Sequence, residues 1–128
     1  MPVVFRAWYK PEKKMYYRAY QKWFHVILCD DDHGKNNGLG IFVKKVAYED
    51  CELLQSTFLK DKHGCEIFEG DVVKVCYKDK IIQDIVGEIP DMFKSRGLHP
   101  LHSIFQKQGL DIKTDACLDL EILKHKFV

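Results

Sequence analysis

No apolar run in this 128-residue sequence approaches the roughly 20 residues that a helix needs to span a bilayer. Runs such as Trp23 to Leu28 are strand-sized, so neither a transmembrane segment nor a membrane partner is expected. Net charge is nearly absent as well: the formal balance is +1, which removes any global field that would draw in nucleic acid or an anionic surface. The five cysteines (Cys29, Cys51, Cys65, Cys76 and Cys117) are odd in number, widely spread and without a Cys-x-x-Cys pair. The start at Val3 reads as folded chain rather than a secretory leader. Reduced thiols in a cytoplasm fit this pattern better than a disulfide framework or a zinc ribbon. Internal repeats and low-complexity tracts are missing too.

What is present is ordinary globular composition, 46% hydrophobic and 30% charged. The length fits a single domain over residues 1–128 with one hydrophobic core. The pattern along it is mainly β. Val3 to Tyr9 and Met15 to Tyr20 are rich in β-branched and aromatic residues and flank Lys10-Pro11-Glu12-Lys13-Lys14, which predicts a hairpin. Trp23 to Cys29 is a third strand, Asp30 to Gly38 a surface loop, and Leu39 to Tyr48 a returning strand.

Leu53 to Leu59 then runs into Lys60-Asp61-Lys62-His63-Gly64, where Asp suits the start of a turn and Gly supplies a residue with φ > 0. Cys65 to Phe68 is the return strand, Glu69-Gly70-Asp71 a second turn, Val72 to Tyr77 an alternating strand, and Ile81 to Ile89 its partner after the Lys78-Asp79-Lys80 turn. One short helix is expected from Pro90, ending at Gly97, and a second over Pro100 to Gln108, with Leu101, Ile104 and Phe105 on one face and Gly109 as its stop. Cys117 to Leu123, apolar at 118, 120, 122 and 123, fits either a strand or a short helix.

Two segments resemble the YopX family of small phage and prophage proteins. The first is Phe5-Arg6-Ala7-Trp8 followed by Lys13-Lys14-Met15. The second is Leu54-Gln55-Ser56-Thr57, then Leu59-Lys60-Asp61-Lys62-His63-Gly64, then Glu69-Gly70-Asp71-Val72-Val73. The resemblance implies a compact β protein with small, barrel-like, SH3-like strand packing, encoded by a phage or prophage and acting in the cytoplasm of a bacterial host. It implies no chemistry and no cofactor. The motif residues Phe5, Arg6, Ala7, Trp8, Asp61, Gly64, Glu69, Gly70 and Asp71 are expected to be structural. Phe58 stands where the family usually has Gly; either the backbone there no longer needs φ > 0 or the motif is shifted by one residue. Tyr9 replaces a usual Asp, and the family's closing pattern is represented only by Asp119-Leu120-Glu121-Ile122.

Among candidate sites, the N-terminal segment stands out. Residues 1–24 hold six basic side chains against one acid, and eight of the sixteen aromatics. Stacking rings between cations are what a single strand of nucleic acid requires, which nominates Arg6, Trp8, Lys13, Lys14, Tyr17, Arg18 and Lys22. The alternative is that these aromatics fill a hairpin's core face while lysines protect its edges. Asp30-Asp31-Asp32-His33-Gly34 has the carboxylates of a calcium loop but Lys35 and Ile41 at the places of the turn Gly and the bidentate Glu. His99 and His102 are spaced as two imidazoles for zinc or nickel, without an identifiable third ligand unless the fold recruits Asp111 or Cys117, so no metal is assigned. Cys29 with His25, and Glu69 with Asp71, are the remaining catalytic-looking pairs, each with a simpler reading as a buried thiol or as turn formers.

Three readings follow, in order: a non-enzymatic protein-interaction or assembly module, self-associating or binding a phage or host protein; a nucleic-acid-associated accessory protein; and an enzyme with an unrecognised site.

Overall fold

A computed structural model describes residues 4–30, 41–87, 89, 99–110, 112 and 118–127. The loop from Asp31, the helix expected from Pro90, and Asp111 and Cys117 lie outside the described residues. The chain divides into two compact units, 1–56 and 57–128, each with its own cluster of buried side chains where the composition predicts one core.

The first unit contains β1 (Phe5–Tyr9), β2 (Lys14–Lys22), β3 (His25–Asp30), β4 (Ile41–Ala47), a 3-10 turn (Tyr48–Asp50) and the first part of β5 (Cys51–Lys60). All pairings are antiparallel, in the order β4-β3-β2-β1-β5. In that order β4 is an edge strand among the described residues, and the strands do not close into a barrel.

Alternation decides which side chains meet. On β1, Ala7 faces the core between Phe5 and Tyr9. On β2 the register slips, because Phe5 pairs with Ala19 while Ala7 pairs with Tyr16. The extra residue opposite Arg6 is a β-bulge that brings Tyr16 and Ala19, three positions apart, into one cluster with Val26, Leu28, Val46 and Cys51. The sheet is strongly coiled. Lys44 lies three strands from Tyr9 in the sheet order, yet its ammonium sits 5.2 Å from that ring's centroid. The Lys10 N–H continues the β1–β5 ladder past Tyr9 and Cys51, donating to the Asp50 carbonyl at 2.9 Å.

The second unit holds the rest of β5, β6 (Glu66–Phe68), β7 (Asp71–Tyr77), β8 (Lys80–Ile85), α1 (His102–Lys107) and β9 (Asp119–His125). β6 pairs with β5, and β8-β7-β9 form a three-stranded antiparallel sheet. On β7 the inward positions Val73 and Val75 join Ile67, Ile82, Leu101, Ile104, Phe105 and Leu120 in an aliphatic core. Burying a side chain of this size stabilises by about 1.5–3 kcal/mol. The helix stops as Gly109 was expected to stop it: at φ +67 its N–H donates to the Gln106 carbonyl while Leu110 donates to Phe105, the paired bonds of a Schellman cap.

Cys117 to Leu123 resolves as strand β9 over its described part. The paired apolar residues Ile122 and Leu123 are accommodated by a register shift opposite Val72 and Val73. Two expectations are corrected. Trp23 and Phe24 are not strand residues but a two-residue turn, because Lys22 pairs directly with His25. Phe58, within β5, keeps φ +61 despite its Cβ. The Thr57 hydroxyl accepts the Leu59 N–H at 3.1 Å and donates to the Ile67 carbonyl at 2.7 Å, which holds this irregularity in place.

Candidate interaction surface

The turn that closes β2 and β3 is the most unusual local structure in the first unit. A two-residue hairpin turn with φ > 0 at its first position normally takes Gly, Asn or Asp. Here it takes Trp23, at φ +60, an arrangement that costs a residue with a Cβ about 1–2 kcal/mol. The ring returns nothing to the core: Trp23 is 82% exposed and Phe24 83%. The Tyr48 N–H donates to the Phe24 carbonyl at 2.9 Å, so the 3-10 turn is tied to this tip, and it carries a third exposed aromatic side chain.

A second apolar feature lies on the edge strand. Ile41 is 78% exposed and Phe42 62%, with Val43 also exposed. Pairing of Cys29 with Phe42 and of Leu28 with Lys44 makes Val43 the extra residue of a bulge. Further along β4, Lys44 turns to Glu12 at 2.8 Å and Lys45 is exposed. Edge strands usually carry charge against unwanted pairing, and residues 41–43 carry none.

The nominated cations do not form one face. Arg6 and Arg18 are buried, and the Arg18 guanidinium donates to the Tyr17 carbonyl at 2.9 Å. Lys10, Lys13 and Lys14 gather at the β1–β2 turn, whereas Lys22 ends the nine-residue β2, roughly 26 Å away by strand rise. Trp8 and Tyr17 are half-buried. Two further rings are occupied: the Lys14 ammonium lies 4.7 Å over Tyr16 and Lys44 lies over Tyr9. The Tyr16 hydroxyl donates to Glu12 at 2.8 Å. Burial, then this carboxylate, pushes the Tyr16 hydroxyl's pKa up; the Lys44 and Tyr16 hydrogen bonds hold Glu12 below the usual carboxylate range.

Cys29 and His25 separate, and the Glu69 and Asp71 carboxylates are engaged by backbone N–H groups. Cys29 is buried and His25 exposed, four strand positions apart or about 13 Å. Burial pushes the Cys29 thiol up, away from the thiolate a nucleophile needs. Glu69 accepts the Ile89 N–H at 3.3 Å and Asp71 the Phe68 N–H at 2.8 Å. His99 is buried against Phe105, and its Nδ1 accepts the Leu101 N–H at 3.0 Å just before α1. That bond occupies one metal-binding nitrogen, and no group of three metal-ligating side chains occurs among the described residues.

The motif residues of the second unit act through backbone groups. Asp61 accepts from His63 at 2.9 Å and Cys65 at 3.0 Å within its turn, and from Ile122 of β9 at 3.1 Å. Gly64 and Gly70 have φ +80 and +84. Gly70 also exchanges backbone bonds with Val86 and Lys126.

A family model described as YopX protein matches residues 4–114. The chain belongs to the YopX family. Among solved structures, the chain is similar to protein EF1440 from Enterococcus faecalis, at 18% identity over 98% of this chain and 93% of that one, with a TM-score of 0.48. A search of curated proteins finds no match. The second motif segment is the turn scaffold just described, while the exposed rings of Trp23, Phe24 and Tyr48 lie outside both motif segments, though within the matched residues. Sequence reading missed that cluster because the turn lacks Gly, Asn or Asp.

Proposed function

We propose that this chain is a phage or prophage accessory protein working as a non-enzymatic interaction and assembly module in the cytoplasm of a bacterial host. The family resemblance supports the setting. The observation that carries the activity is the edge position of β4, with Ile41, Phe42 and Val43 exposed on a strand that has no outer neighbour among the described residues. Such an edge adds a strand, and a second copy of the chain is the partner whose own edge matches it in length and apolar character.

Light scattering after size exclusion, from low micromolar to near-millimolar protein, tests this. The wild type is expected to associate and Phe42→Lys to remain monomeric with an unchanged unfolding temperature. A wild type that stays monomeric throughout contradicts assembly through β4. The nucleic-acid reading draws less support, since two of its four strand-borne cations are buried and the exposed lysines sit at opposite ends of β2.

A further inference from the structure

We infer that the Trp23–Phe24 turn and the Tyr48–Asp50 turn form a docking platform for an extended, proline-rich peptide segment bearing a basic residue. This rests on reading the chain as an interaction module and names the chemistry of one partner. The Tyr48 N–H bond to the Phe24 carbonyl joins the backbones of the two turns, and these turns carry three exposed aromatic side chains, Trp23, Phe24 and Tyr48. Trp23 occupies a backbone conformation at φ +60 that favours glycine, with its ring in solvent. Neither packing nor turn geometry accounts for tryptophan there, whereas a contact outside the chain does.

Aromatic side chains on turns offer flat faces rather than a hydrogen-bonding ladder, so they suit a ligand that brings no ladder of its own. A polyproline helix is such a ligand: it has no internal hydrogen bonds, is ordered before binding and presents its rings outward. SH3 domains use aromatic grooves this way; the inference here stands on this chain's own side chains. Charge narrows the choice. Glu49 and Asp50 follow Tyr48 within the 3-10 turn, and the Lys10 ammonium donates to the Glu49 carbonyl at 3.3 Å; two carboxylates against one ammonium leave this border acidic on balance, which favours a cationic flank and disfavours phosphate. Lys22, exposed, directly precedes Trp23, so the partner's cation is assigned to the Glu49 and Asp50 end.

The test is calorimetric titration of the full chain with a synthetic decaproline peptide carrying a terminal arginine, and with the same peptide ending in glutamate. Saturable binding is expected, stronger for the arginine peptide. Trp23→Gly fits the turn's φ and should unfold at an equal or higher temperature, yet bind at least about tenfold more weakly. Tyr48→Ala should weaken binding similarly. No saturable heat with either peptide, or equal affinity in Trp23→Gly, overturns the inference; equal affinity for the two peptides overturns the acidic border. Light scattering separates the two levels of failure. If no peptide binds but the chain self-associates, the interaction reading stands and this partner is wrong. If no peptide binds and the chain is monomeric at every concentration, both fall.

Discussion

The two units spend their unusual residues differently. In the second, a buried carboxylate and two glycines at positive φ are consumed in joining backbone segments: Asp61 links the β5–β6 turn to β9, and Gly70 links the following turn to Val86 and Lys126. In the first, the residue at positive φ in the β2–β3 turn is an exposed tryptophan, and an edge strand carries three exposed apolar side chains. The second unit exposes its large apolar side chains singly, at Phe58, Ile81 and Leu123, whereas the first exposes them in runs, at 23–24 and 41–43. The recognisable family motif thus lies mainly where the chain builds itself, and the better candidate for function lies where the motif ends.

The largest effect expected from breaking this contrast is at Asp61. Asp61→Ala leaves three backbone N–H groups without their acceptor and should destabilise the chain by about 3 kcal/mol in urea unfolding. Asp61→Asn keeps one carbonyl oxygen for the turn but turns a donor toward Ile122, so about half that loss is expected. A loss below a few tenths of a kcal/mol for Asp61→Ala would remove the linking role.

His99 gives a smaller, pH-dependent effect. Burial holds its pKa below the usual 6.5, so on acidification the unfolded chain takes up a proton before the folded chain does. His99's contribution is full above about pH 6.5 and is lost as pH falls from there toward the lowered folded value. Unfolding temperatures at pH 7.5 and in mild acid should fall more for the wild type than for His99→Gln; an equal fall contradicts the assignment. The smallest effect is at Phe58. Phe58→Gly relieves the positive φ but loses a half-exposed ring and adds chain entropy, so the net change should stay under about 1 kcal/mol in either direction.

The hairpins, the Asp61 and Gly70 turns and the Gly109 helix stop were legible because alternation and turn chemistry are local. What was hidden depends on pairing. Arg6 and Arg18 count as surface cations by composition, but the bulged register of β1 and β2 accompanies their burial. Trp23 and Phe24 read as the start of an apolar strand until the Lys22–His25 pair makes them a turn. Phe58 in place of Gly pointed either to a backbone without φ > 0 or to a motif shifted by one residue, yet Thr57 holds φ > 0 there without glycine.

The central claim is that stability and binding reside in different units. Measuring unfolding temperature and decaproline affinity side by side for Trp23→Gly and Asp61→Asn tests it most directly. The account predicts that Trp23→Gly keeps its unfolding temperature and loses binding, while Asp61→Asn loses stability and, below its unfolding temperature, binds like the wild type. Binding lost in folded Asp61→Asn and retained in Trp23→Gly would contradict it.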